Sequence, residues 1–350
     1  MFFVENIVSV LSSVFSGIIL NGSSEMIRVL LTAVAMDLLI GEPPAAVHPV
    51  VWFGKIIAFL KRHAPASHRK AYGIFMSLLT VGSGVALALA VLILTNADVV
   101  PAVARILVQA YFLKATFAVR CMVTPAHEIC SILDDKAGDI EKVRSEMKTY
   151  VSRDTSKLSR SQIISGVIES VSENYVDSIL SPILFYVVFG PFGLVAAYIF
   201  KGFSTLDSMI GYLNDECREL GWFAAKSDDV LNWIPARLSH YLIACGAAIS
   251  NAFPVRKEYR GFAPGKAVSC AQAEHRASPS PNSGWPMAAA AGTLDVRLEK
   301  PGVYVINDSG KTPETTDIMR VSVLIVLTSL LTVFICALFL GILNIILGQR

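Results

Sequence analysis

The chain has 350 residues, 53% hydrophobic and 17% charged, with a mean hydropathy of +0.56. A soluble domain carries more charge, so the bilayer forms part of its solvent. A formal net charge of +2, without a Lys/Arg tract interleaved with aromatics, sets nucleic acid aside as a partner.

From the N-terminus, "MFFVENIVSVLSSVFSGIILNG" has Glu5 before any Lys or Arg. It lacks the basic start of a secretory signal and reads as a retained apolar helix. "MIRVLLTAVAMDLLIG" (26–41) is a short span. It leads into a Pro-rich break, "GEPPAAVHPVVWFGK", where Asp37, Glu42, His48 and Lys55 bracket the prolines. His48 there has a structural and a ligand-binding reading, and Trp52 with Lys55 fits an interfacial anchor. Residues 73–95 are apolar and long enough to cross a bilayer. The short basic loop "KRHAPASHRK" (61–70) before them places this side in the cytoplasm. Residues 101–123 return as a span whose Arg105, Lys114 and Arg120 require a wet or protein-packed face.

The polar stretch 124–177 follows, holding the densest polar cluster, "SRDTSKLSRSQIISGVIESVSENYVDSILSP" (152–182). On a helix Glu169, Glu173 and Asp177 fall at i, i+4 and i+8, with Asn174 beside them. Adjacent like charges destabilise an isolated helix, so a cation is expected opposite them: a divalent metal, or Arg153, Lys157 and Arg160. A solvated charged face is the alternative. Residues 178–200 are interrupted by Gly190-Pro191 and Gly193, and read as a broken or re-entrant segment.

A second cluster, "KGFSTLDSMIGY" (201–212), lies in the polar stretch 201–229. It places Ser204 or Thr205 at a helix N-cap, where hydroxyls and Lys201 also suit an anion. A third, "AAKSDDVLNWIPARLS" (224–239), pairs Asp228 with Asp229 ahead of Arg237. The aspartates serve either as dipole complements at a helix head or as Mg²⁺ ligands. Residues 230–253 read as another broken segment because Pro235, Arg237 and His240 sit in its first half.

The stretch 254–319 reads as an ordered loop. Inside it "HRASPSPNSGWPMAAAAGTLDVRL" (275–298) makes a tight turn, Ser280-Pro281-Asn282-Ser283-Gly284, running into a close-packed helix. Such a turn can cradle phosphate on backbone N–H groups. No G-x-x-x-x-G-K-[ST] and no G-x-G-x-x-G occurs, so neither a Walker nor a Rossmann site is supported. Residues 321–348 form the last span. The six cysteines, at 121, 130, 217, 245, 270 and 336, show no C-x-x-C and no His at metal-ligand spacing, and read as reduced packing residues. The expectation is one all-α polytopic membrane domain with broken or re-entrant helices and long polar cytoplasmic loops.

The strings "DLLIGEPPAAVHPVVWFGK", "SRDTSKLS", "ESVSENYVDSILSPILFY", "STLDSMIGY", "KSDDVLNWIPARL" and "SPNSGWPMAAAAGTLDVRL", in this order over about residues 36–305, resemble the CbiB/CobD family of adenosylcobinamide-phosphate synthases. The chain departs from that pattern at Ser152, where a Gly usually precedes Arg-Asp-Thr, and at Gly202-Phe203-Ser204. The resemblance implies ATP-dependent amide ligation between the free propionate of adenosylcobyric acid and the amine of aminopropanol phosphate or an analogue. Other corrinoid-pathway enzymes are possible partners. A carboxylate is a poor acyl donor, so the route implied passes through an acyl phosphate, with Mg²⁺, phosphate-binding cations and a base. The resemblance assigns Asp228 and Asp229 to metal. It assigns Arg153, Asp154, Thr155, Lys201, Thr205, Asp207, Arg237, His48, Ser280, Pro281, Asn282 and Gly284 to phosphate and substrate. Glu169 or Glu173 is the base, with Asn174 and Asp177 alongside. A secondary transporter shares the broken segments and membrane-edge carboxylates, and a noncatalytic scaffold for corrinoid enzymes is the third reading.

Overall fold

The computed structural model describes residues 22–134, 140–150, 154–253, 256 and 259–348. The apolar N-terminal segment and Arg153 lie outside them. In chain order the helices are α1 (Ser23–Leu39), α2 (Pro49–Arg62), α3 (Arg69–Thr95), α4 (Ala102–Lys114), α5 (Val119–Asp134), α6 (Ile140–Tyr150) and α7 (Arg160–Tyr175). A π-helical turn, Val176–Leu180, leads into α8 (Ser181–Val188), and a 3₁₀ turn, Gly190–Phe192, leads into α9 (Gly193–Ile210). Then come α10 (Trp222–Leu231), α11 (Trp233–Ala252), α12 (Pro264–Glu274), α13 (Gly284–Leu294), a two-stranded hairpin of β1 (Leu298–Lys300) and β2 (Tyr304–Ile306), and α14 (Thr315–Gly348). This is an all-α membrane protein. Among the described residues, two helices are long and apolar enough to span, Arg69–Thr95 and Thr315–Ile346.

Where one domain is expected, the chain divides into two compact units. One contains residues 1–118, 181–230 and 333–350; the other contains 119–180 and 231–332. In the first unit α9 packs on α2, α3 and α8, and α1 packs on α4. The α1–α4 pair carries two ion pairs: Arg105 Nε to Glu25 Oε1 at 2.8 Å and Lys114 Nζ to Asp37 Oδ1 at 3.3 Å. Lys114 is 1% exposed. This answers the expectation that the charges of 101–123 face protein, though that segment is interrupted after Lys114 and resumes at Val119. The break at Gly190 is as expected; its φ of +56° is the left-handed region that glycine enters without cost.

The second unit is organised around α13. Its small side chains let neighbours approach on all sides, and every residue except Trp285 is buried. It packs against α7, α11 and α12. Closeness fixes the glycine: a Cβ at Gly284 would lie 1.9 Å from the His275 carbonyl oxygen. The helix ends where Asp295 takes a left-handed conformation, φ 59°. The α7 helix begins with a capping box: Ser159 Oγ accepts from the Gln162 N–H, and the Gln162 side chain accepts from the Ser159 N–H. The hairpin pairs Leu298 with Ile306 and Lys300 with Tyr304. It is tied to α7 by the Glu299 N–H donating to Ser165 Oγ at 2.7 Å.

Three expectations are corrected. Residues 230–253 are interrupted at Asn232, between α10 and α11, and not at Pro235: α11 runs continuously from Trp233, and a proline in a first turn forfeits no intrahelical bond. The polar stretch 124–177 is largely helical, and 254–319 holds helices α12 and α13 and the hairpin; α13 escapes periodicity analysis because an Ala-rich helix buried almost all round has no polar face to alternate with. Ser204 and Thr205 are not caps but lie inside α9, where Thr205 donates to the Lys201 carbonyl at 2.7 Å.

Candidate active site

Two groups of the expected residues are brought together, one in each unit. In the second unit, Glu169 is 2% exposed. Its carboxylate is held by two hydroxyls, Ser165 Oγ donating to Oε1 and Tyr304 Oη donating to Oε2, each at 2.7 Å. Both of these donors are neutral hydroxyls. Glu173 and Asn174, four and five residues on, are half-buried, and the Asn174 amide is spent on the Ser170 carbonyl at 2.9 Å. Asp177 falls in the π turn, which rotates it away from the strict i+8 position. The expected three-carboxylate face is therefore a buried Glu169 followed by two half-buried acids on a widening helix.

On α11, Arg237 Nη1 donates to the Trp233 carbonyl at 2.8 Å and reaches Asn282 Oδ1 at 3.5 Å. Its guanidinium sits 4.1 Å from the Trp233 ring centroid. Asn282 belongs to the turn before α13, where Ser280 Oγ accepts from the backbone N–H groups of Asn282 and Ser283 at 3.2 and 3.3 Å. Pro281 is exposed at the tip, and Gly284 is the position without room for a Cβ. The turn thus stands as expected, with its Asn joined to an Arg 45 residues away.

Upstream in the same unit, Asp154 is exposed and Oδ1 accepts from the Ser156 N–H at 2.9 Å. Thr155 is fully buried and gives its hydroxyl to the Arg144 carbonyl at 2.6 Å. That hydroxyl ties the segment to α6.

In the first unit, Asp207 on α9 and Asp229 on α10 are close enough to interact. Burial first, and then the Asp229 charge, push the Asp207 carboxyl up to about 6. Lys226 Nζ pairs with Asp229 Oδ2 at 3.1 Å. Asp228 and Asp229 occupy the last turn of α10, not the head of a helix, so the dipole-complement reading is corrected: that end of a helix disfavours anions. Among the described residues no group of three or more His, Cys, Asp or Glu is arranged to hold a metal. A Mg²⁺ that keeps waters and substrate phosphates needs only one or two carboxylates, and two mutually repelling acids fit that lesser demand.

His48 has a local task. It caps α2 by accepting from the Val50 N–H at 3.2 Å, and its Nε2 lies 2.8 Å from Glu42 Oε2. Glu42 Oε1 meets Lys114 Nζ at 2.7 Å. Burial raises the Glu42 carboxyl, but the hydrogen bonds from His48 and Lys114 outweigh it and hold it below its ordinary value. All six cysteines are free.

Sequence reasoning passed over Ser165, Tyr304 and Trp285, and left His240 without a role. Ser165 stands four residues before Glu169 and so on its face, a signal that was available. Tyr304, 135 residues away, offered none.

The sequence profile of the CobD/Cbib protein family matches residues 30–341. A probable cobalamin biosynthesis protein CobD of Methanothrix thermoacetophila is 40% identical over 322 residues, covering 89% of this chain and 96% of that protein. One of Methanothermobacter thermautotrophicus is 38% identical over 81% of this chain and 87% of its own length. The cobalamin biosynthesis protein CobD of Dehalococcoides mccartyi is 35% identical, again over 81% and 87%. No solved structure matches. With this family match over residues 30–341 and these relatives, the chain belongs to the CobD/Cbib family.

Proposed function

We propose that this protein acts in cobalamin biosynthesis as an ATP-dependent amide ligase, joining the propionate of adenosylcobyric acid to aminopropanol phosphate or a related amino-alcohol phosphate. The observation that carries the reading is the packing of the second unit. Helices α7, α11 and α13 bring the segments "ESVSENY", "NWIPARL" and "SPNSGWP" into one framework although more than 100 residues separate the first from the last.

ATP supplies the phosphoryl group that activates the carboxylate, and Mg²⁺ offsets its charge. Asp228 and Asp229 hold the metal, with Asp207 alongside. Arg237 and Asn282 take a phosphate, as do Lys201 and Arg153. Glu169, oriented by Ser165 and Tyr304, accepts a proton from the incoming ammonium so that the amine lone pair becomes nucleophilic. The polar segments face the cytoplasm, as the basic loop 61–70 sets the orientation. Detergent-purified protein given ATP, Mg²⁺, adenosylcobyric acid and aminopropanol phosphate should form ADP and the amide together. A folded preparation that forms neither refutes the reading and leaves transport or scaffolding.

A further inference from the structure

His240, on α11, is 2% exposed, and both its ring nitrogens are buried without a hydrogen bond among the described residues. The Arg237 carbonyl, one turn earlier, acts on the ring as a hydrogen-bond acceptor would, but outside hydrogen-bonding geometry. The indole Nε1 of Trp285 is likewise buried and unpaired. The two rings are stacked with centroids 5.0 Å apart, and His275 stacks on Trp285 at 3.8 Å. Buried polar atoms are almost always satisfied, so two orphans in one stack mark a place where the partner comes from outside the chain.

The fourth member of the stack is Arg237, whose guanidinium carbon is 5.5 Å from the Trp285 ring centroid. Its hydrogen bonds go to neutral oxygens, the Trp233 carbonyl and Asn282 Oδ1. No carboxylate pairs with it among the described residues. The polar groups gathered here are a permanent cation, an indole N–H and an imidazole that presents at least one N–H. Such a set suits an anion, and the strongest bonds it can make are charge-assisted ones to a phosphate or carboxylate oxygen.

The geometry points to an oxyanion receptor made of Arg237, Trp285 and His240, which takes the phosphate of a phosphomonoester when the guanidinium moves off the Trp285 ring and uncovers the two buried donors. This rests on the ligase reading, because that reaction brings a phosphomonoester to this protein. The phosphate could come from the amino-alcohol phosphate or from the nucleotide.

Equilibrium dialysis of the full-length protein in detergent tests it with radiolabelled aminopropanol phosphate, labelled ATP, and unlabelled inorganic phosphate or propionate as competitors. The variants are Trp285→Phe and His240→Phe, which keep an aromatic ring at each position and remove the buried nitrogens. Loss of a hydrogen bond to a charged group predicts about a tenfold weaker binding of one labelled probe in each variant, with inorganic phosphate competing and propionate not. The probe that weakens identifies the source of the phosphate. Wild-type affinity in both variants, or competition by propionate alone, overturns the receptor; should His240→Phe not fold, Trp285→Phe decides. The two readings fail separately: binding without amide formation refutes the ligase and keeps the receptor, whereas turnover with unchanged substrate KM in both variants refutes the receptor and keeps the ligase.

Discussion

The phenol of Tyr304 donates a 2.7 Å hydrogen bond to Oε2 of Glu169, and the other carboxylate oxygen takes the Ser165 hydroxyl. The acid is thereby held at both oxygens. Glu169→Gln should retain yield and fold but lose turnover by at least tenfold, and Tyr304→Phe should lose less, since one donor remains. Stability should drop by about 1 kcal/mol in Tyr304→Phe, the size of one hydrogen bond. Steady-state kinetics beside thermal unfolding checks this; a fully active Glu169→Gln protein returns α7 to a packing role.

A methyl group at residue 284 has nowhere to go. Gly284→Ala places a Cβ 1.9 Å from the His275 carbonyl oxygen, and overpacking of this kind costs about 1–3 kcal/mol or more. Thermal unfolding in detergent should show a clearly lower midpoint. Gly82→Ala, where nothing lies within 4 Å of the added atom, should leave it unchanged.

The Glu42 network predicts an acid-labile link. With its carboxyl held below the ordinary 4.5 by His48 and Lys114 against the opposing effect of burial, Glu42 contributes stability that is present above the unfolded value. That contribution is lost as pH falls through the lower folded value. Glu42→Gln should lower stability at neutral pH and flatten the decline below pH 4.5. Lys114→Met, which removes the ammonium 3.3 Å from the buried Asp37 carboxylate, should be more damaging, by about 3–5 kcal/mol. Unfolding midpoints across pH for the three proteins test the order.

Asp228→Asn and Asp229→Asn should raise the Mg²⁺ requirement and the apparent KM for ATP while leaving corrinoid binding intact. Asp134→Asn, outside the matched motifs, serves as the control. Unchanged Mg²⁺ dependence in both variants removes the metal from these acids.

How far the residues alone carried the account varies with their chemistry. Spans 73–95 and 321–348 were legible because long apolar runs have one physical explanation, and the break at Gly190 because glycine and proline announce it. The Ser280–Gly284 turn and its close-packed helix were legible from small residues alone. By contrast, the uninterrupted α11 was hidden by reading Pro235 as a break, when its place in the first turn makes it harmless. Ser204 and Thr205 look like caps until α9 is seen to start eleven residues before Ser204. The Glu169–Tyr304 and Lys114–Asp37 pairs depend on distant segments meeting, and no local pattern encodes that.

The central claim is amide ligation through an activated carboxylate. The most direct measurement is a single reaction with adenosylcobyric acid labelled with ¹⁸O in its free carboxylate, read by mass spectrometry of both products. The account predicts one ADP per amide formed and one labelled oxygen transferred to inorganic phosphate. Amide formed without ADP, or phosphate that carries no label, would contradict it.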